Sequence, residues 1–217
     1  GIFAPGVTQL FPDGHIINLH PWEHNDVAPA LAAAFSTDVP IIALHLTRPA
    51  IEVPDREKLG IASHWDASKG AYLIRDYDER PKEGVVIVRG TSSTNTVVSI
   101  LEQIGTDHNV KIVSAVSWEL FRRQEQAYKD SIISKTEWSD SMIVTNTGLR
   151  IMHNWISNRV VSEYSVSPDW DDSWRTGGSL DEIIDEAHLS PRWVLKAIQK
   201  FTSERSSRLE RLRSEIP

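Results

Sequence analysis

The stretch that decides the fold is VPIIALHLTRPAIEVP, residues 39–54. Its first half is apolar at both odd and even positions, a pattern typical of a strand that is covered on both faces, as central parallel strands are. Polar residues begin only where this strand ends, at Thr47 and Arg48. Because open α/β sheets bind ligands outside the carboxyl ends of their strands, Arg48 is a candidate ligand-binding residue.

Pro49 restricts Arg48 to extended backbone, so the guanidinium is presented from the strand end instead of entering a helix. A guanidinium can form two parallel hydrogen bonds to a phosphate or a carboxylate. The alternative is an ordinary ion pair with one of the acidic residues that follow, which are Glu52, Asp55 and Glu57. Spacing alone favours the ion pair.

The composition is that of an acidic globular protein, with 217 residues, 40% hydrophobic residues and a formal net charge of −7. This charge argues against a protein that binds nucleic acid or anionic membranes. No apolar run approaches the roughly 20 residues that a membrane span needs. The absence of cysteine excludes disulfides, zinc–thiolate sites and thiol nucleophiles. Without cysteine or an apolar leader the expected location is cytoplasmic, and the start at Gly1 predicts a fragment of a longer protein.

Alternating strand and helix patterns predict two α/β units. The first contains a βαβ unit and one further strand, predicted in order at 15–19, 27–35, 39–46 and 71–76. The segment DYDERPKE, residues 76–83, is charged, contains proline and lacks an apolar period, which is typical of a linker that few contacts cross. The sequence therefore predicts domains at 1–80 and 81–217.

The second unit is predicted to be a complete Rossmann-like, three-layer α/β domain. Its strands are predicted at 84–89, 111–116, 142–147 and 163–166. Its first helices are predicted at 97–104, 119–133 and 149–156. Helix-start patterns occur at Ser117, at Ser179 with Glu182, and at Ser190 with Pro191.

Other motifs are weak. GTSS, residues 90–93, lies where a strand leads into a helix and could bind an anion, but it lacks the glycine spacing and the lysine of nucleotide-binding loops, which favours helix capping by hydroxyl groups. A proline and a tryptophan interrupt the cluster of His20, Glu23 and His24, so a metal site there is not favoured. No Gly-x-Ser-x-Gly hydrolase motif is present.

Several of these stretches, taken in order, resemble the C-terminal third of transketolases. IIALHLTRPAIEVP (41–54) is similar to the family's Ile-x-Leu-x-Arg strand end in the pyrimidine-binding domain. HWDASKGAYLIRDYDE (64–79) resembles the segment that leads into the last domain, and GVVIVRGTSSTNTVVSILEQI (84–104) resembles the first strand, turn and helix of that domain. VKIVSAVSWELFRRQEQAYKDSII (110–133) resembles the family's Val-x-Ser-x-Pro…Phe…Gln…Tyr-x-x-Ser string, with Trp118 where proline is common.

The resemblance implies a homodimeric transferase of the pentose phosphate pathway, which uses thiamine diphosphate and Mg to move a two-carbon ketol unit between sugar phosphates. In that family the arginine of this strand end contacts the substrate phosphate, so the resemblance gives Arg48 a substrate-binding role. The family's Gly-Asp-Gly motif is absent from this sequence, as is its glutamate-bearing upstream segment. No catalytic, cofactor-binding or metal-binding residue is therefore assigned, and this chain alone is expected to be inactive. Beyond Thr145 the match is loose, which indicates a divergent subgroup.

Two other functions stay open at this point. The chain could be a non-catalytic module for dimerisation or regulation. It could also be the C-terminal part of a 2-oxo-acid dehydrogenase E1 beta-type subunit, which shares the architecture. The Thr47-Arg48 strand end favours a sugar phosphate over a 2-oxo acid.

Overall fold

The computed structural model describes residues 3–47, 50–173 and 177–215. Arg48 lies outside the described residues. Within these ranges the strands are β1 (Ile16–Leu19), β2 (Ile41–Leu44), β3 (Ala71–Arg75), β4 (Val85–Arg89), β5 (Lys111–Ala115) and β6 (Ser141–Thr145).

Helices connect these strands and form the C-terminal end of the described chain. The α-helices are α1 (His24–Phe35), α2 (Arg56–Leu59), α3 (Thr91–Ser99), α4 (Leu101–Asp107), α5 (Trp118–Phe121), α6 (Gln126–Ile132), α7 (Lys135–Ser139), α8 (Arg159–Tyr164), α9 (Leu180–Glu186), α10 (Pro191–Ser203) and α11 (Arg205–Glu215). Short 3-10 helices lie at Ala4–Leu10, His64–Lys69 and Leu149–Trp155. In the part of the chain described, no helix is long and apolar enough to cross a bilayer.

The first sheet is the predicted βαβ unit. Strands β1 and β2 are parallel, with Ile16 opposite Ile41, and α1 connects them. The N-cap of α1 is Glu23, whose carboxylate accepts a 2.7 Å hydrogen bond from the Asn25 amide. The prediction that β2 is covered on both faces is wrong, because all four of its residues are half-buried. Among the described strands β2 has only β1 beside it, so its other edge is not covered by a strand.

The second sheet has the strand order β3-β5-β4-β6, and the three strands β4, β5 and β6 are parallel. Every residue of β4 is buried, as the sequence predicts. Val86 and Val88 face one apolar cluster, whereas Val85 and Ile87 face a second cluster on the opposite side of the sheet. Helices therefore cover both faces, and the predicted α/β class is confirmed.

Strand β3 belongs to the second sheet, although the sequence placed it in the first unit. It runs antiparallel to β5, with Tyr72 opposite Ser114. Gly70 explains this docking, because its carbonyl accepts hydrogen bonds from the amides of Val116 (2.9 Å) and Ser117 (2.7 Å). The second sheet thus begins before the predicted boundary at residue 80, and the division itself stays a prediction.

The expectation that few contacts cross the segment 76–83 is wrong. The Asp78 amide donates to the Asn109 side-chain oxygen (2.9 Å), and the Asn109 side-chain amide donates to the Arg80 carbonyl (2.6 Å). A single apolar cluster also contains Leu19 of the first sheet and Val86 of the second. The two sheets therefore share a core, and this segment is held against it.

Three helix-start predictions are confirmed. The Leu120 amide donates to the Ser117 hydroxyl (3.3 Å) at the start of α5. Ser179 forms a reciprocal capping box with Glu182, and α10 begins at Pro191.

Other local predictions are wrong. The helix predicted at 119–133 is interrupted after α5, where the side chain of Gln124 donates to the Leu120 carbonyl that a continuing helix would use. The strand predicted at 163–166 is reduced to one parallel bridge between Val166 and Val144, because Glu163 and Tyr164 end helix α8, whose N-cap is Asn158.

The GTSS turn also differs from expectation. The helix predicted at 97–104 is divided at Ile100 into α3 and α4. Gly90 is the N-cap of α3 and no side chain caps this helix. Instead the Ser93 hydroxyl donates to the carbonyl of Arg89. The hydroxyl-capping interpretation of residues 90–93 is therefore wrong.

Candidate functional site

The carboxyl ends of strands from both sheets meet at one place. His20 follows β1 directly, and its amide donates to the carbonyl of Val116 (2.8 Å), which follows β5. His45 follows β2, and its amide donates to the Leu19 carbonyl (2.9 Å). Arg89 is the last residue of β4. Because α/β proteins bind ligands outside the carboxyl ends of parallel strands, this meeting point is the candidate functional site.

Two histidines stack at its centre. The rings of His20 and His45 are parallel to within 3°, with centroids 4.2 Å apart. Burial lowers the pKa of His20 well below its usual value, and the charge of Arg89 and the ring of His45 lower it further. Burial and Arg89 also lower the pKa of His45. Both imidazoles are therefore neutral at pH 7.

A hydrogen-bond chain fixes the orientation of His45. Its Nε2 lies 3.1 Å from Asn18 Oδ1, and Asn18 Nδ2 donates to Glu119 Oε1 (3.1 Å). The second carboxylate oxygen of Glu119 accepts from the Asn18 amide (3.3 Å) and from the Ser117 hydroxyl (3.2 Å). Because an ionised carboxylate only accepts, Asn18 must turn its nitrogen to Glu119 and its oxygen to the imidazole. Neutral His45 thus carries its proton on Nε2, which leaves Nδ1 as an acceptor.

Arg89 is buried with incomplete hydrogen bonding. Its Nη2 donates to the Thr147 hydroxyl (2.9 Å), and its Nη1 lies 3.4 Å from the Ile151 carbonyl. Its Nε is buried without a partner. Burial lowers the pKa of this guanidinium to about 9, against the opposing charge of Glu119. A buried cation without an ion pair is costly, so it calls for a functional explanation.

A cavity of about 90 Å³ opens between these groups. Its polar lining includes His20, Arg89, Asn18, Ser117 and Glu119. The site combines neutral imidazoles that donate or accept with a fixed cationic donor. Such a set can bind and orient a small polar or anionic group.

The structure separates the histidine cluster that the sequence suggested. His20 lies in the site, whereas Glu23 forms an ion pair with Arg56 (2.7 Å) and His24 is exposed. Within residues 3–47, 50–173 and 177–215, no group of three histidine, cysteine or acidic side chains is placed to hold a metal ion.

Sequence reasoning missed Arg89, His45 and Glu119. Arg89 could have been identified from the sequence, because it ends the otherwise apolar strand GVVIVR and charged residues are seldom found in buried strands. The sequence gives no comparable indication for Glu119 or His45. Glu119 resembles an ordinary residue at a helix start, and His45 an ordinary residue at a strand end.

Residues 70–166 match the model of the transketolase-like C-terminal domain. This part of the chain is a transketolase-like C-terminal domain. A chloroplastic transketolase from Craterostigma plantagineum is 31% identical over 126 residues, which are 55% of this chain and 22% of that protein. A transketolase from a Nostoc species is 31% identical over 71 residues, which are 32% of this chain and 10% of that protein. The chain therefore spans less than a quarter of the length of these relatives.

Solved structures share the fold of the transketolase-like C-terminal domain and of the sheet before it. A transketolase from Leishmania mexicana has a TM-score of 0.72 at 15% identity, over 94% of this chain and 27% of its own. A transketolase mutant from Pichia stipitis has a TM-score of 0.70 at 19% identity, over the same shares of the two chains. A chain described as a split-gene transketolase, inactive beta4 tetramer, has a TM-score of 0.57 at 11% identity, over 94% of this chain and 63% of its own.

The expected cytoplasmic location is wrong in the light of these relatives. Similar proteins from Craterostigma plantagineum, Zea mays and Solanum tuberosum are named chloroplastic transketolases. The expectation depended on the lack of a leader, which is uninformative because targeting segments are removed from mature proteins.

Proposed function

We propose that this chain is the C-terminal part of a transketolase-like transferase of sugar phosphates. The reaction shortens a ketose phosphate by two carbons and lengthens an aldose phosphate by the same two. The match of residues 70–166 to the transketolase-like C-terminal domain carries this proposal. It is supported by relatives that are named transketolases and by a shared fold over 94% of the chain.

Thiamine diphosphate and Mg are proposed for the intact enzyme, not for this chain alone. The described residues do not fit the cofactor, because they bring together no group of acidic or histidine side chains that could hold the metal ion on its diphosphate. The sequence also lacks a Gly-Asp-Gly motif. The cofactor would supply the carbanion chemistry, and we propose that the segments that hold its diphosphate and metal lie outside this sequence.

The proposed partners are sugar-phosphate substrates, the remaining transketolase segments and a second copy in a homodimer. The similar fold of a split-gene transketolase chain supports the proposal that the remaining segments can lie on another chain, because that chain comes from a split gene and is described as inactive in its beta4 tetramer. The division into a partial pyrimidine-binding domain (1–80) and a C-terminal domain (81–217) is proposed with one change. The pairing of β3 with β5 favours a boundary near residue 70.

Cofactor binding and complementation test this function. We expect calorimetry with thiamine diphosphate and Mg to show no saturable binding to this chain, and a coupled assay to show no ketol transfer. Adding a chain with the upstream transketolase segments should restore both. Micromolar, Mg-dependent binding by this chain alone would contradict the cofactor assignment. Complementation that restores cofactor binding without ketol transfer would favour a non-catalytic module or a 2-oxo-acid dehydrogenase subunit.

Arg48 is proposed to bind the substrate phosphate in the complemented enzyme. In the sequence it follows Leu44, the last residue of β2, by four positions, and His45 of the candidate site lies between them. Replacing it by alanine should lower kcat/KM for phosphorylated donors about 30- to 1000-fold, which corresponds to roughly 2–4 kcal/mol for a charge-assisted bidentate contact. Arg48→Lys should restore part of the activity, because a point charge replaces the planar fork.

A non-phosphorylated ketose is the matched control substrate. Its kcat/KM should change little in either variant, since it has no phosphate to lose. Equal losses on both substrate classes, together with a lower melting temperature, would assign Arg48 to a structural ion pair instead.

A further inference from the structure

The cavity at the meeting point of the two sheets has a cationic donor without a counter-ion. Arg89 is 6% exposed and lines this cavity. No carboxylate of the described residues lies within 4.0 Å of its guanidinium, and its Nε has no hydrogen-bond partner. The chain thus buries a positive charge and leaves one of its donors unused.

The carboxylate that could neutralise Arg89 is engaged elsewhere. Both oxygens of Glu119 accept hydrogen bonds, one from the Asn18 side chain and the other from the Asn18 amide and the Ser117 hydroxyl. Ser117 also caps α5, which holds this arrangement in place. Glu119 lines the same cavity and its charge acts on Arg89, but its oxygens are engaged in these hydrogen bonds and it forms no ion pair with the guanidinium.

The two histidines allow an anion to enter. His20 lines the cavity, and His45 stacks on it at 4.2 Å. As neutral rings they add no negative charge, and the neutral ring of His20, which lines the cavity, has one N–H group that can donate a hydrogen bond. Neighbouring positive charge and a low-dielectric wall strengthen attraction for an anion.

The cavity is large enough for a small anion. Its volume of about 90 Å³ exceeds the roughly 10–15 Å³ that one water molecule needs, which leaves room for a tetrahedral oxyanion. A guanidinium fork matches phosphate oxygens in geometry and charge.

We propose that the cavity between the two sheets binds a phosphate dianion, free or as the end of a phosphate monoester, through the guanidinium of Arg89. Phosphate would contact the guanidinium from the cavity that Arg89 lines and supply the missing counter-ion. This site is built from residues other than Arg48 and is independent of the proposed transferase reaction.

Thermal unfolding of this chain tests the site without any activity assay. Inorganic phosphate at millimolar concentration should raise the melting temperature of the wild-type chain above that in sodium chloride of equal ionic strength, because a ligand that binds only the folded state stabilises it. Arg89→Met should abolish this phosphate-specific rise. It should also leave the phosphate-free melting temperature unchanged or higher, since it removes an unpaired buried charge.

Titration calorimetry measures how much each substitution weakens phosphate binding. Arg89→Met should weaken phosphate binding at least about 30-fold, and Arg89→Lys should weaken it less, because the lysine keeps the charge without the fork. Arg123→Met is the matched control, since Arg123 is an exposed arginine whose loss should leave phosphate binding unchanged. If Arg89→Met does not fold, weakened binding by Arg89→Lys supports the site and unchanged binding overturns it.

Methyl phosphate distinguishes the source of the phosphate group. Competition by methyl phosphate as strong as that by inorganic phosphate would assign the site to a monoester end, and weaker competition would assign it to the free ion. A wild-type chain without saturable phosphate binding, or an equal phosphate effect in Arg89→Met, would overturn the proposal.

Discussion

Replacing Arg56 by methionine should be among the most destabilising single substitutions in this chain. The Arg56 Nη2 atom lies 2.7 Å from Glu23 Oε1 and 2.6 Å from Asp26 Oδ1, and both carboxylate side chains are fully buried. The guanidinium also lies between the rings of Trp22 and Tyr72, 5.0 Å from each centroid. This network connects α1, α2 and β3, and so holds the first sheet against the second.

The expected loss follows from the two carboxylates that the substitution leaves unpaired. Breaking a buried ion pair by removing one partner costs about 3–5 kcal/mol, because the remaining charge stays desolvated. For a chain of this length each 1 kcal/mol lowers the melting temperature by about 2–4 °C. Arg56→Met should therefore lower the melting temperature by about 6–20 °C at pH 7.

The loss of stability caused by Arg56→Met should become smaller as the pH is lowered. Burial raises the pKa of Asp26, and the positive charge of Arg56 opposes that rise. Without Arg56 the pKa of this carboxyl rises further in the folded state, so the variant takes up more protons on folding than the wild type does as the pH falls. The stability of the variant relative to wild type should thus increase as the pH falls from 7 toward 4.5.

Urea unfolding followed by tryptophan fluorescence measures these differences. Arg123→Met, at an exposed arginine, is the matched control and should change the free energy of unfolding by less than about 0.5 kcal/mol. Tyr72→Phe removes only the hydroxyl that donates to Asp26 (2.8 Å) and should cost about 1.5–3 kcal/mol. Equal effects of Arg56→Met and Arg123→Met, or a loss that does not depend on pH, would refute this account of the network.

Two further predictions concern the site and its supports. The folded-state pKa of His20 lies below the unfolded value of about 6.5. Its contribution to stability is therefore complete above pH 6.5 and is lost as the pH falls. Urea unfolding at pH 7.5 and 5.5 should show that His20→Gln reduces this acid sensitivity and that His24→Gln, at an exposed position, does not. Gly70→Ala should lower the free energy of unfolding by about 2–5 kcal/mol, because Gly70 has φ of +86° and an added Cβ would lie 2.3 Å from a backbone nitrogen. Gly14→Ala is the matched control. Gly14 has φ of +83° but lies in open space, so this substitution should cost only about 1–2 kcal/mol. Similar costs at the two glycines would mean that the close approach at Gly70 does not limit stability.

Part of the fold was determined by local sequence. The apolar run GVVIVR predicted a fully buried strand, and β4 is buried along its whole length because helices cover both faces of its sheet. The similar apolar run of β2 is only half-buried, so the pattern alone is not sufficient. Ser117, and Ser179 with Glu182, predicted helix starts that the structure confirms, since a cap is a contact between residues two or three apart. The resemblance to transketolases was likewise readable from short strings in a fixed order.

Contacts between residues far apart in sequence were decided only by the tertiary structure. The local sequence of β3 predicts a strand but not its partner, because its pairing with β5 depends on the Gly70 carbonyl and on residues about 40 positions away. The candidate site also depends on contacts between residues that are far apart in the sequence. His20, His45, Arg89 and Glu119 follow or end four different strands, and they meet because the carboxyl ends of two sheets face each other. Nothing in the spacing of these residues encodes that meeting, whereas the packing of one shared core does.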